Sequence, residues 1–89
     1  MEIDYQKIAT LYDKGVLNAV IERKDTVIAN IDYLNGLGIN SNEIFERYTP
    51  IFIKDTATFI NSVEMLIKRL GDDYIAILEE NIEYWGELL

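Results

Sequence analysis

The chain has 89 residues, 49% of them hydrophobic and 27% charged, which is the composition of one globular domain, residues 1–89, rather than of a disordered segment. Sixteen acids against eight bases give a formal charge of −8 and a pI near 4.3. With no Cys and no His, disulfide frameworks, the usual zinc ligand sets, Cys nucleophiles and His general bases are excluded together.

One Pro and five Gly are too few turn residues for an all-β domain. The start, Met1-Glu2-Ile3-Asp4-Tyr5-Gln6-Lys7, has no basic stretch followed by an apolar run, so no secretory signal is expected. No uninterrupted apolar run approaches the ~20 residues of a membrane helix. A cytoplasmic location is the expectation. The acid excess disfavours direct contact with nucleic acid or an anionic lipid surface, both of which need Lys or Arg, and it favours a basic protein partner.

Helical spacing runs through most of the chain. Tyr5, Ile8, Leu11 and Tyr12 form a first apolar stripe, with Gly15 as its expected stop. Leu17, Val20 and Ile21 give a short second helix. Asp25-Thr26 is an expected cap for a third, in which Val27, Ile31 and Leu34 form the stripe and Gly38 the end. Asn40 and Glu43 have the spacing of a capping box, with Ile39 and Ile44 placed as a hydrophobic staple. Pro50 ends that helix, and Ile51-Phe52-Ile53 reads as a buried connector, because no second strand candidate exists to pair with it. Asp55 is expected to cap a longer helix, whose Phe59, Ile60, Val63, Leu66, Ile67 and Leu70 fall within about 120° of a helical wheel. Met65 alone lies off that stripe, and Gly71 stops it. A last helix is expected from Asp72 or Asp73 to about Leu88. The fold class expected is all-α, a small compact bundle of five to six short helices.

The chain echoes itself. Lys24-Asp25-Thr26 recurs as Lys54-Asp55-Thr56, Leu37-Gly38 as Leu70-Gly71, Ile44-Phe45-Glu46 as Ile77-Leu78-Glu79, and Ile51-Phe52 as Tyr84-Trp85. A period of about 30 residues points to tandem helical hairpins. The alternative is chance likeness, since cap, stripe and Gly are the common grammar of helices. Leu37-Gly38-Ile39, Ile44-Phe45, Pro50-Ile51 and Leu70-Gly71 resemble the helical repeats of the mitochondrial transcription termination factor family, over residues 20–89. That family binds nucleic acid through basic surfaces. This chain is acidic, so the resemblance implies a fold and not that activity.

No motif carries catalytic chemistry. Gly36-x-Gly38 lacks a third Gly and a preceding strand, no EF-hand loop occurs, and Ser41 and Ser62 have no His to activate them. No cofactor, metal site or catalytic residue is expected. An enzyme using carboxylates and a metal is the remaining catalytic class, and the chain is read as non-enzymatic.

The segment from Asp72 to Leu89 holds six acids and no base, so it carries six of the eight excess negative charges. On a continuous helical wheel Asp72, Asp73, Glu79, Glu80, Glu83 and Glu87 gather on one face, opposite an apolar arc about 180° wide. The helix dipole accounts for Asp72 and Asp73 at the start but not for Glu87 near the end. One expectation is a solvated face over a core face. The other is a binding surface for a basic protein, with Ile77, Tyr84 and Leu88 as an apolar rim that meets a partner or a second copy of the chain. Trp85, mid-arc, is expected to be buried.

Two functions follow. In the first, the chain is a small acidic interaction module, an inhibitor or regulator occupying a basic surface of a larger protein, and in size and charge it resembles small phage or mobile-element regulators. In the second, it is a structural helical-repeat module, dimeric or not, whose charge serves solubility.

Overall fold

The computed structural model describes residues 3–89. Six α-helices, α1 (Tyr5–Leu11), α2 (Lys14–Glu22), α3 (Lys24–Gly36), α4 (Asn42–Arg47), α5 (Thr56–Leu70) and α6 (Tyr74–Glu80), are joined by two 3₁₀ helices at Thr49–Ile53 and Ile82–Leu88. Among the described residues there is no strand. The all-α bundle read from the sequence is the fold observed. Its radius of gyration, 12.6 Å, is close to the ~12 Å of a compact chain this long.

Carboxylate caps separate the first two helices. Asp4 accepts from the Lys7 N–H at 3.1 Å, and Asp13 accepts from the Val16 N–H at 3.0 Å. Gly15 is therefore not the stop expected of it. Tyr12 ends α1, and Gly15 lies in the first turn of α2 under the Asp13 cap. The Asp25-Thr26 cap is also displaced, because α3 begins at Lys24, directly after the single linking residue Arg23.

From α3 onward one order of elements is used twice. A long helix ends near a Gly, a short helix follows, and a 3₁₀ helix closes the unit: α3, Gly38, α4 and Thr49–Ile53, then α5, Gly71, α6 and Ile82–Leu88. Gly38 (φ 87°) and Gly71 (φ 83°) are the positive-φ residues among those described, and a side chain there is strained. The long helices also bury apolar side chains at the same i, i+4, i+7 spacing, Val27, Ile31 and Leu34 on α3 and Phe59, Val63 and Leu66 on α5, although these sets are out of register with the echoed residues. The echo in the sequence thus corresponds to a repeated succession of elements.

The core runs along the junction of these units. Phe45 of α4 meets Phe52 of the first 3₁₀ helix edge-on at 5.2 Å between centroids, and Phe52 meets Phe59 of α5 at 5.3 Å. Ile51 and Phe52 are fully buried, as a connector without a pairing strand requires. Two polar groups stitch this connector in place. The Tyr12 hydroxyl donates to the Glu46 carbonyl at 2.9 Å and accepts from the Thr49 N–H at 3.3 Å. Asn30, fully buried on α3, donates from Nδ2 to the Phe52 and Lys54 carbonyls, both at 2.9 Å. Outside the core, Lys7 Nζ lies 2.7 Å from Glu46 Oε1, and that hydrogen bond and charge hold the Lys7 pKa above its ordinary value.

Candidate interaction surface

The acid-rich end of the chain is not the single helix read from its periodicity. α6 stops at Glu80, Asn81 adopts φ −134° and ψ 74°, and the chain resumes as a 3₁₀ helix. Asn81 supplies the local reason. Its Nδ2 donates to the Ile77 carbonyl at 3.1 Å while its own N–H bonds the same oxygen at 3.0 Å, so the last turn is closed by its own side chain. The 3₁₀ pitch supplies the packing reason. With three residues per turn, Ile82, Trp85 and Leu88 stack on one face. Trp85 and Leu88 are buried there and Ile82 is half-buried. A continuous α-helix fans those three side chains over an arc of about 120°.

The expected acidic face is accordingly distributed over three segments. Asp72 and Asp73 lie in the turn after Gly71, Glu79 and Glu80 at the end of α6, and Glu83 and Glu87 in the second 3₁₀ helix. All six side chains are exposed. They differ in their partners. Glu87 is held by Arg69 of α5, whose Nη2 lies 2.7 Å from both carboxylate oxygens, which accounts for an acid near a helix end where the dipole disfavours it. Among the described residues the other five acids form no ion pair. No three of the described acids converge closely enough to hold a metal ion.

The apolar rim is more buried than its place on the wheel suggests. Ile77 and Tyr84 are half-buried, while Leu88 is 7% exposed and belongs to the core. The Leu88 carbonyl accepts from Lys54 Nζ, which ties the second 3₁₀ helix to the start of α5. Leu88 is thus an internal contact and not an available rim. Leu89 beyond it is 66% exposed, as is Met65, the residue that fell off the α5 stripe.

Sequence reasoning missed a groove between the two short helices. Ile39 and Ile44 from the α4 side meet Ile75, Leu78, Ile82 and Trp85 from the α6 side around a cavity of about 230 Å³. Two carboxylates, Glu43 and Glu79, line the same groove. The capping-box pattern assigned Glu43 to the Asn40 N–H, but no such box forms. Asn40 Oδ1 accepts from the Asn42 N–H at 3.1 Å, and Ser41 at the cap position turns its hydroxyl to Asn35 Oδ1 at 2.9 Å. Glu43 is left exposed, 3.9 Å from Arg47.

No helix among the described residues is long and apolar enough to cross a membrane. No family model, no curated protein and no solved structure matches the chain. The likeness to mitochondrial transcription termination factor repeats therefore stays a likeness of residue pattern.

Proposed function

We propose that the chain is a non-enzymatic interaction module that acts in the cytoplasm by laying its acidic C-terminal surface on a basic surface of a larger protein. The observation that carries this reading is the charge imbalance of one segment. Asp72, Asp73, Glu79, Glu80 and Glu83 are exposed and form no ion pair among the described residues, and no base lies between Asp72 and Leu89 to balance them. Like charges this close repel, and the field they generate attracts and orients a basic partner. A basic surface that binds nucleic-acid phosphates is one such target, which makes the chain an inhibitor or regulator of the kind found in phage and mobile elements.

The test is capture from the source cell on immobilised protein, repeated with Asp73, Glu80 and Glu83 each changed to Lys. None of the three side chains forms a hydrogen bond or ion pair among the described residues, so the fold is expected to survive, with a cost of about 0.3–1 kcal/mol for Lys at position 73, where the α6 dipole favours an acid. The reading expects the captured protein to be lost with the triple variant and to elute with moderate salt. A second reading, a structural repeat module or dimer, is favoured by the twice-used order of long helix, Gly, short helix and 3₁₀ helix. Under that reading, association survives the charge reversal.

A further inference from the structure

We infer that the groove between α4 and α6 anchors an apolar side chain carried on a Lys- or Arg-rich segment of the partner; this rests on the acidic surface being the binding surface. The size of the groove narrows the occupant. At about 230 Å³ it falls below the ~300–1,000 Å³ of small-molecule sites and suits one or two side chains. Its chemistry narrows it further. Ile39, Ile44, Ile75, Leu78 and Ile82 supply apolar walls, so the inserted group is apolar. The charged residues lining it are Glu43 and Glu79, both carboxylates, so the residues beside that apolar group are basic. Glu43 has only Arg47 at 3.9 Å, and Glu79 forms no ion pair among the described residues.

An apolar anchor ringed by charge pairs is how interfaces concentrate their binding energy: the pocket holds the partner, and the charges steer and register it. The position agrees with this division of labour. Glu79 belongs both to the groove and to the acidic segment, so a partner seated on Glu80 and Glu83 reaches the groove without leaving the surface already proposed. Trp85, the one tryptophan of the chain, lines the groove and is fully buried, with its indole N–H lacking an acceptor among the described residues. Occupancy therefore has an intrinsic optical reporter.

The probe is a Trp-free amphipathic peptide of lysines and leucines, titrated into the intact protein while Trp85 emission is followed. A companion peptide of equal charge carries serines in place of the leucines. The leucine peptide is expected to bind and shift the emission, and the serine peptide to bind about tenfold more weakly. Changing Glu43 and Glu79 together to Lys is expected to weaken the leucine peptide by about tenfold, whereas changing Asp72 and Asp73 to Lys, outside the groove, has a smaller effect. Where the Lys pair lowers the unfolding midpoint, Glu43→Gln with Glu79→Gln makes the same test without added charge. Leucine and serine peptides that bind alike, with equal losses from both pairs of substitutions, overturn the groove and leave the acidic-surface reading standing. No binding by either peptide overturns both. A concentration-dependent dimer of the protein alone that shifts Trp85 emission assigns the groove to a second copy and overturns the basic-segment occupant.

Discussion

Asn30→Asp puts the polar stitch of the core under direct test. Asn30 is fully buried, and its Nδ2 donates to two main-chain carbonyls, those of Phe52 and Lys54, at 2.9 Å each. Its Oδ1 has no partner among the described residues, so the site asks for donors and offers none in return. An aspartate of the same shape removes both donors. If protonated, it returns a single O–H and leaves one carbonyl unpaired, at a cost of about 1–3 kcal/mol. If ionised, it sets a carboxylate against two carbonyl oxygens in a buried site, where desolvation raises a carboxyl pKa by ~3–5 units. The unfolded chain keeps the ordinary value near ~3.9, so the added penalty is absent below that value. It grows as pH rises and levels off at the raised folded pKa. At pH ~7 that penalty is about 4 kcal/mol, from ~1.4 kcal/mol per unit over the ~3 units that separate pH 7 from the unfolded value. A chain of this length has a total stability of about 4–13 kcal/mol, so the variant is marginal or unfolded at neutral pH and partly rescued in acid. Urea unfolding followed by Trp85 emission, with wild type and Asn30→Ala alongside at pH ~3 and ~7, reads the difference. Asn30→Ala loses the same bonds without adding a charge and is expected to differ from wild type equally at both pH values. If Asn30→Asp also differs equally at the two values, the burial and donor geometry assigned to residue 30 are wrong.

Gly38→Ala and Gly71→Ala are each expected to destabilise by about 1–2 kcal/mol, because both residues have positive φ. Gly36→Ala, helical and with open space around its Cα, is expected to be neutral or stabilising by about 0.5–1 kcal/mol, and thermal unfolding of the three variants checks the contrast. Tyr12→Phe leaves the Glu46 carbonyl and Thr49 N–H without their shared partner and is expected to cost about 1–2 kcal/mol by urea unfolding. Burial, then the nearby Glu64 and Tyr74, raises the Tyr33 pKa. The neutral phenol is therefore preferred in the fold, and stability is full below the ordinary tyrosine value of about 10 and falls as pH rises past it. Tyr33→Phe is expected to flatten that alkaline fall, measured as unfolding midpoint against pH.

The sequence was most legible where one residue type has one job. Gly38 and Gly71 end helices because they alone tolerate the positive φ found there. Ile51 and Phe52 are buried because a short apolar run with no pairing strand has nowhere else to go. Trp85 and Met65 lie inside and outside as their stripes implied. Legibility failed where a side chain bonds the same main-chain carbonyl as the helix itself. Asn81 passes for a tolerable helix residue in a strong apolar period, yet its amide closes the turn and redirects the chain into a tighter pitch. That change moved Leu88 into the core and broke the single acidic face into three segments. The remaining failures were long-range. Nothing local to Glu87 names Arg69, eighteen residues earlier, and nothing local to Glu43 names Glu79 across the groove.

The central claim, that the exposed acids of α6 and the second 3₁₀ helix form the binding surface, is tested most directly by titrating isotopically labelled protein with the captured basic partner and following every amide by NMR. The account predicts shifts concentrated at Asp72–Glu83 and at the α4 side of the groove, together with a change at the Trp85 indole, all reversed by salt. Shifts centred on α1 and α2, with Glu79, Glu80 and Glu83 unmoved, contradict it.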